Sequence, residues 1–401
     1  MADSTYYYLY LPATFIYNDL GGLNFYDSLI HKYSINSCQP TYEVYPQKST
    51  GYKVNKYAVG VSIFELPFFA LAHTYCLISK EYPSDGYSTP YRVSIVFAYL
   101  FWVLFGMFAL RAFLLKYFND NITAITLLLL LFGTNLYFYT VFFIGMSHPI
   151  SFSLFCFLLY FTNRAYSRYK SIYVVIIGLI LGLILIVRPT NIIVAIIPIF
   201  WPYRSFNEKV DIFKKKSRAI AIALICFCAT AFIQFSYLKY TSGNWFHFSY
   251  QEEYFNFKSP MIYDGLFSYR KGWFIYTPLA LISIWGLILM MVKKDFRYNI
   301  YFLYIIINIY IVFSWHAWSY GGGFGCRPLV ESMAIMSIPI AYFINKVMLY
   351  KKRILNIIII FFFSFFVILN LFQSYQLMYN VLSWDGITEI EYWNSFGKLP
   401  K

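Results

Sequence analysis

An all-α polytopic membrane protein is the fold class this sequence predicts, and three observations predict it. Apolar runs of about 17–25 residues recur along the chain, the length a helix needs to cross a bilayer. Of the 401 residues, 60% are hydrophobic and only 12% are charged, with a mean hydropathy of +0.56. That is more apolar surface than a soluble domain can use. Lys and Arg, which give a formal net charge of +14, crowd into short loops between the runs, as in cytoplasmic loops. The positive charge therefore reads as topology, and nucleic acid is not an expected partner.

Three segments follow in order: residues 1–92, a transmembrane bundle over 93–372, and a tail over 373–401. The first holds the apolar stretch Lys56–Ile78, "KYAVGVSIFELPFFALAHTYCLI", with Glu65, Pro67 and His73 inside it. It reads either as a span or as an interfacial helix, and the nearly balanced charge of Met1–Tyr57 does not decide. The bundle should contain about ten spans: 93–115, 122–144, 149–163, 171–187, 190–203, 217–238, 274–292, 299–315, 331–346 and 354–372. The pair flanking Arg188 is short, which suggests thin or tilted packing.

Four basic clusters orient these spans. They are Arg164, Arg168 and Lys170; Arg204, Lys209, Lys214, Lys215, Lys216 and Arg218; Lys293, Lys294 and Arg297; and Lys346, Lys351, Lys352 and Arg353. All four should be cytoplasmic. The intervening loops then face out: Gly145–Ile150, the Arg188-Pro189-Thr190 corner, Lys239–Trp273, the Gly-rich stretch Trp318–Glu331, and the tail from Gln373. The cysteines Cys38, Cys76, Cys156, Cys226, Cys228 and Cys326 mostly lie in or beside apolar runs, without metal-ligand spacing to a histidine. They read as small core residues, and no metal or other cofactor is expected.

The external loops carry ionisable residues that lipid-facing helices cannot hold cheaply. His148 in "MSHP" precedes Pro149 at a helix junction, either as a structural histidine or as a ligand contact. Arg188 in "VRPTN" must meet an anion, water or head groups: a phosphate, or a structural carboxylate. Arg270 and Lys271 in "SYRKGW" put positive charge on the outer side, as interfacial anchors or phosphate partners. Glu252 and Glu253 in "YQEEYF" either hold ligand hydroxyls or pair with nearby cations. "GGGFGCRP" lacks the Gly-Lys-Ser/Thr ending of a P-loop and faces away from cytoplasmic nucleotides. Its glycines allow close backbone approach, Pro328 suits a helix start, and Arg327 can grip a phosphate or be neutralised by Glu331.

Several blocks resemble the integral-membrane GT-C glycosyltransferases, the superfamily of protein mannosyltransferases and lipid A aminoarabinose transferases, with bacterial members nearest. The blocks are "DSTYYYLYLPATFIYNDL", "KYAVGVSIFELPFFALAH", "GTNLYFYTVFFIGMSHP", "RPTN", "LFSYRKGWFIYTPLALISIWGL" and "GGGFGCRPLVE". The resemblance implies a GT-C-like helical bundle. Residues 1–92 become an external first loop with Lys56–Ile78 as a juxtamembrane helix, and the first transmembrane span is expected to be missing upstream. It also implies an inverting transfer of a sugar from a polyprenyl-phosphate donor to a lipid, glycan or protein acceptor. That reaction would occur at the outer face of the bacterial inner membrane, with the site open to the periplasm.

Such a reaction needs a carboxylate base for the attacking hydroxyl and cationic or N–H partners for the departing phosphate. The resemblance puts the base at Asp3, although Ser4 follows it where protein mannosyltransferases have an Asp-Glu pair. Asp19 and Asp27 are rivals on the same loop, and Asp3 could instead cap a helix. Lys56 opens "KYAVG", which resembles the family's loop-to-helix segment near the lipid phosphate; otherwise it is an interfacial lysine. An O-antigen polymerase or ligase and a lipid-linked sugar transporter are the alternatives. The first would use a diphosphate donor, and the second should carry charge along a central pathway.

Overall fold

The computed structural model describes residues 2–34, 43–168, 170–201, 214–293, 298–350 and 352–400. Cys38, Arg204, Lys209, Lys294, Arg297 and Lys351 lie outside the described residues. The chain is a helical polytopic membrane protein. Five helices are long and apolar enough to cross a membrane: Gly60–Ser79 (α4), Thr89–Leu114 (α5), Ser217–Ser242 (α11), Ser332–Leu349 (α16) and Arg353–Met378 (α17). Their outward faces are apolar, as at Phe97 and Phe108 on α5 and Ile354, Ile360 and Phe361 on α17, all more than half exposed. Lipid is the solvent that suits such faces.

The remaining helices fall in order around these. Ala2–Tyr8 (α1), Tyr10–Phe15 (α2) and Tyr26–Tyr33 (α3) precede a two-stranded antiparallel hairpin, Val44–Pro46 with Lys53–Asn55. After α5 come Asp120–Phe132 (α6), Leu136–Val141 (α7), Ser147–Arg168 (α8) and Ser171–Val187 (α9). A 3-10 segment Pro189–Ala195 leads to Ile196–Ile199 (α10). Between α11 and α16 lie Ile262–Phe267 (α12), Trp273–Tyr276 (α13), Leu279–Val292 (α14) and Tyr298–Phe313 (α15). Glu389–Ser395 (α18) closes the tail.

Three of the expected spans are broken rather than continuous. The span expected at 122–144 divides into α6 and α7 at Gly133-Thr134-Asn135, because Asn135 turns inward and donates to the Phe324 carbonyl at 2.7 Å. The one expected at 274–292 divides into α13 and α14 at Thr277-Pro278, where the residue before proline is pushed off the α region. The one expected at 190–203 is, over its described residues, a 3-10 segment that opens at Pro189 and one short helix that holds Pro198. The expected all-α class also omits the hairpin, which sits in the first segment.

Packing offsets place α4, the helix of the Lys56–Ile78 stretch, against the start of α5. α5 runs parallel to α8, with Gly106 against Ser153 and Tyr117 donating to Asn163 at 2.9 Å. About 25 Å of helix precedes Gly106 in α5, but only about 9 Å precedes Ser153 in α8. The start of α5 therefore overhangs α8. α4 pairs antiparallel with this overhang: Trp102 donates to the Phe64 carbonyl at 2.8 Å, His73 meets Tyr91 at 2.5 Å, and Cys76 faces Ser88. The first turn of α4 meets the end of α9, where Gly60 touches the Ile186 backbone so closely that a Cβ would lie 2.4 Å from it. α4 therefore packs beside the overhanging start of α5.

Candidate functional site

A cavity of about 630 Å³ opens where these offsets meet. Its floor carries Asp3, Glu43, Lys56, His148, Arg188, Glu253 and Arg327. Leu185–Val187 at the end of α9 and Ala231 and Leu238 on α11 add aliphatic lining, with Gln234 and Phe235 between the last two. The lining also carries aromatic side chains, among them Tyr250, Phe255, Trp315 and Tyr320. Six of the residues singled out in the sequence thus converge here from six separate stretches of chain.

Asp3 reaches the floor from the first turn of α1, and its Oδ2 lies 3.2 Å from an Arg327 nitrogen. Arg327 is delivered by the Gly-rich loop, whose geometry explains its glycines. Gly323 and Gly325 have φ of 144° and 55°. A Cβ at Gly323 would fall 2.6 Å from the Tyr139 hydroxyl, and one at Gly325 would fall 2.5 Å from the Tyr276 Cβ. Only glycine suits such positive φ at that separation. Burial works against the Arg327 charge, but Asp3 outweighs it and raises the guanidinium above its ordinary range.

Glu331 does not pair with Arg327. It is 1% exposed and serves His148 and Arg188 instead. Its Oε2 lies 3.0 Å from His148 Nδ1, and its Oε1 accepts from Asn191 at 2.9 Å and lies 3.8 Å from Arg188 Nε. Arg188 also approaches the His148 ring at 3.1 Å and lies over Tyr320. This cluster joins α8, the Arg188 corner and the start of α16; Arg188 is half-buried, and His148, Asn191 and Glu331 are buried.

Lys56 follows from hairpin register. Val44 pairs with Asn55, so the next residues outward, Glu43 and Lys56, stand opposite, and the Lys56 N–H donates to the Glu43 carbonyl at 2.8 Å. The Lys56 ammonium lies 2.6 Å from Glu253 and 3.6 Å from Glu43 Oε2. Glu253 is held there because Phe255 bridges to Trp315 and the Asn256 N–H donates to the Ser314 carbonyl at 2.6 Å. Burial pushes the Glu43 carboxyl up, against the pull of Lys56. Glu43 escaped the sequence reading. The two short runs around the turn "QKSTG", ending at Gly51, were the available signal.

Five sequence candidates lie away from the cavity lining. Asp19 closes its own turn, accepting from the N–H groups of Gly22 and Asn24 at 2.8 Å each. Glu252 is exposed beside the cavity residue Glu253, and Asp27, the third rival base, is exposed in the first turn of α3. Arg270 forms a two-pronged pair with Asp385 of the tail, at 3.0 and 3.2 Å. Lys271 is buried and donates to the carbonyls of Gly323 and Trp384. It thereby ties the Gly-rich loop to the tail.

Lys271 gives a testable pH dependence. Burial lowers its pKa to about 8, against about 10.4 in an unfolded chain. Between those values the unfolded state binds more protons, so stability should rise with pH from 8 to 10.4. The limiting slope is about 1.4 kcal/mol per pH unit. Thermal unfolding in detergent should show this rise for the wild type and lose it in Lys271→Met; equal slopes would refute the assignment.

No family model matches the chain, and no curated protein matches it.

Proposed function

We propose that the protein is a GT-C-like glycosyltransferase that moves a sugar from a polyprenyl phosphate to an acceptor hydroxyl. One observation carries the reading. Carboxylates and two arginines share a cavity whose lining also includes aliphatic side chains, which suits an amphiphile with an anionic head and a hydrocarbon tail. The offset of α4 agrees with a juxtamembrane helix. In a bacterial cell the cavity would face the periplasm, because the basic loops lie at the other ends of the helices.

In this reading Asp3 takes the proton of the acceptor hydroxyl as its oxygen bonds to the anomeric carbon. The bond from that carbon to the phosphate oxygen breaks, and the phosphate leaves with the electron pair. Attack from the face opposite the phosphate inverts the anomeric centre. Arg327 and Arg188 stabilise the charge that gathers on the phosphate. Arg327 is shared, so a bound phosphate draws it from Asp3 and leaves the carboxylate available as the base.

The test incubates membranes carrying the protein with radiolabelled sugars on polyprenyl phosphate and, separately, on polyprenyl diphosphate. Transfer from the monophosphate with inversion is expected. Transfer from the diphosphate alone, or transport without covalent transfer, would overturn the reading.

A further inference from the structure

We infer that Glu43, Lys56 and Glu253 form a hydroxyl-recognition subsite for the glycosyl part of the ligand, and that Lys56 is not the cation for its phosphate. The inference rests on the proposed function and adds to it which side chains of the cavity read the sugar.

Charge distinguishes the cations. Arg327 and Arg188 each have one carboxylate nearby. Lys56 has two, Glu253 at 2.6 Å and Glu43 at 3.6 Å. An anion arriving at Lys56 would meet two like charges within a few ångströms, which disfavours phosphate there. A neutral hydroxyl meets no such penalty.

Hydrogen-bonding capacity points the same way. Glu43 is 9% exposed, and its Oε2 has no hydrogen-bond partner among the described residues. A buried carboxylate oxygen left in that state is costly. The 3.6 Å separation from Lys56 is too long for a hydrogen bond. One hydroxyl placed between them would donate to Glu43 Oε2 and accept from the ammonium. A hydroxyl can do both at once; a phosphate oxygen can only accept.

Shape completes the argument. The Lys56 ammonium lies 5.3 Å from the centre of the Tyr250 ring and 5.8 Å from that of Tyr57. Polar groups between aromatic faces match a pyranose, whose hydroxyls radiate from a ring with apolar C–H faces.

Binding to the purified full-length chain in detergent tests this, with decyl phosphate and its mannosyl, glucosyl and galactosyl diesters as probes. At least one diester should bind the wild type ten-fold or more tighter than decyl phosphate. Glu43→Gln and Glu253→Gln should erase that margin while moving decyl phosphate by less than three-fold. Lys56→Met should likewise spare decyl phosphate. The subsite is overturned if no diester outbinds decyl phosphate, if the Gln variants weaken all probes in parallel, or if Lys56→Met weakens decyl phosphate ten-fold. Failure of the wild type to bind any probe would instead count against the proposed function itself.

Discussion

Replacing Asp3 with Asn is expected to lower sugar transfer by about 10²–10⁴-fold, the usual worth of a positioned base. Asn keeps the shape and can still accept a hydrogen bond from Arg327, so the loss reports the missing proton acceptor. Donor phosphate should bind Asp3→Asn at least as tightly as the wild type, because Arg327 loses its competing anion at 3.2 Å. The expected signature is thus a collapse of kcat without weaker donor binding. Asp19→Asn should leave turnover within about two-fold of the wild type, since surface changes away from a site are usually small and Asp19 is occupied by its own turn. Full turnover in Asp3→Asn would remove Asp3 from the mechanism.

The long helices were legible because apolar length and basic loops are properties of contiguous sequence. Their breaks were less so. Thr277-Pro278 announces itself through proline, but Gly133–Asn135 breaks because Asn135 finds the Phe324 carbonyl, 189 positions away. The site shows the same division. That Arg188 needs a counter-charge follows from its place after an apolar run. Which carboxylate supplies it does not, because Glu331 and Asp3 were both available. Glu331 lies four residues from Arg327 in sequence, yet it serves Arg188 and His148 while Arg327 takes Asp3. Glu43 needed the hairpin register before it could be placed opposite Lys56. Arg270 and Lys271 carried the right charge at the right face, but the tail's Asp385 and Trp384 engage them, and nothing in the spacing revealed that the tail folds back.

Removing Glu331 should be the most destabilising single change in this region. Its carboxylate is 1% exposed and holds His148, Asn191 and Arg188. In Glu331→Ala the Asn191 amide loses its acceptor and Arg188 keeps a partly buried charge without its anion. Breaking such a buried arrangement by deleting one partner costs about 3–5 kcal/mol. Glu331→Gln should cost less, because the amide oxygen can still accept from Asn191 while the charge opposite Arg188 is gone. The Asp3–Arg327 pair makes the contrast. Both side chains are partly open to the cavity, at 22% and 17% exposure, so water can replace part of what is lost and Asp3→Ala should cost less than Glu331→Ala. Denaturant midpoints in detergent would rank the three variants. Near-wild-type stability in Glu331→Ala would mean that water or a rearranged Arg188 replaces the carboxylate. The expected order separates two uses of charge in one region: Glu331 holds α8, the Arg188 corner and α16 together, so that the more exposed Asp3 and Arg327 can be committed to the ligand.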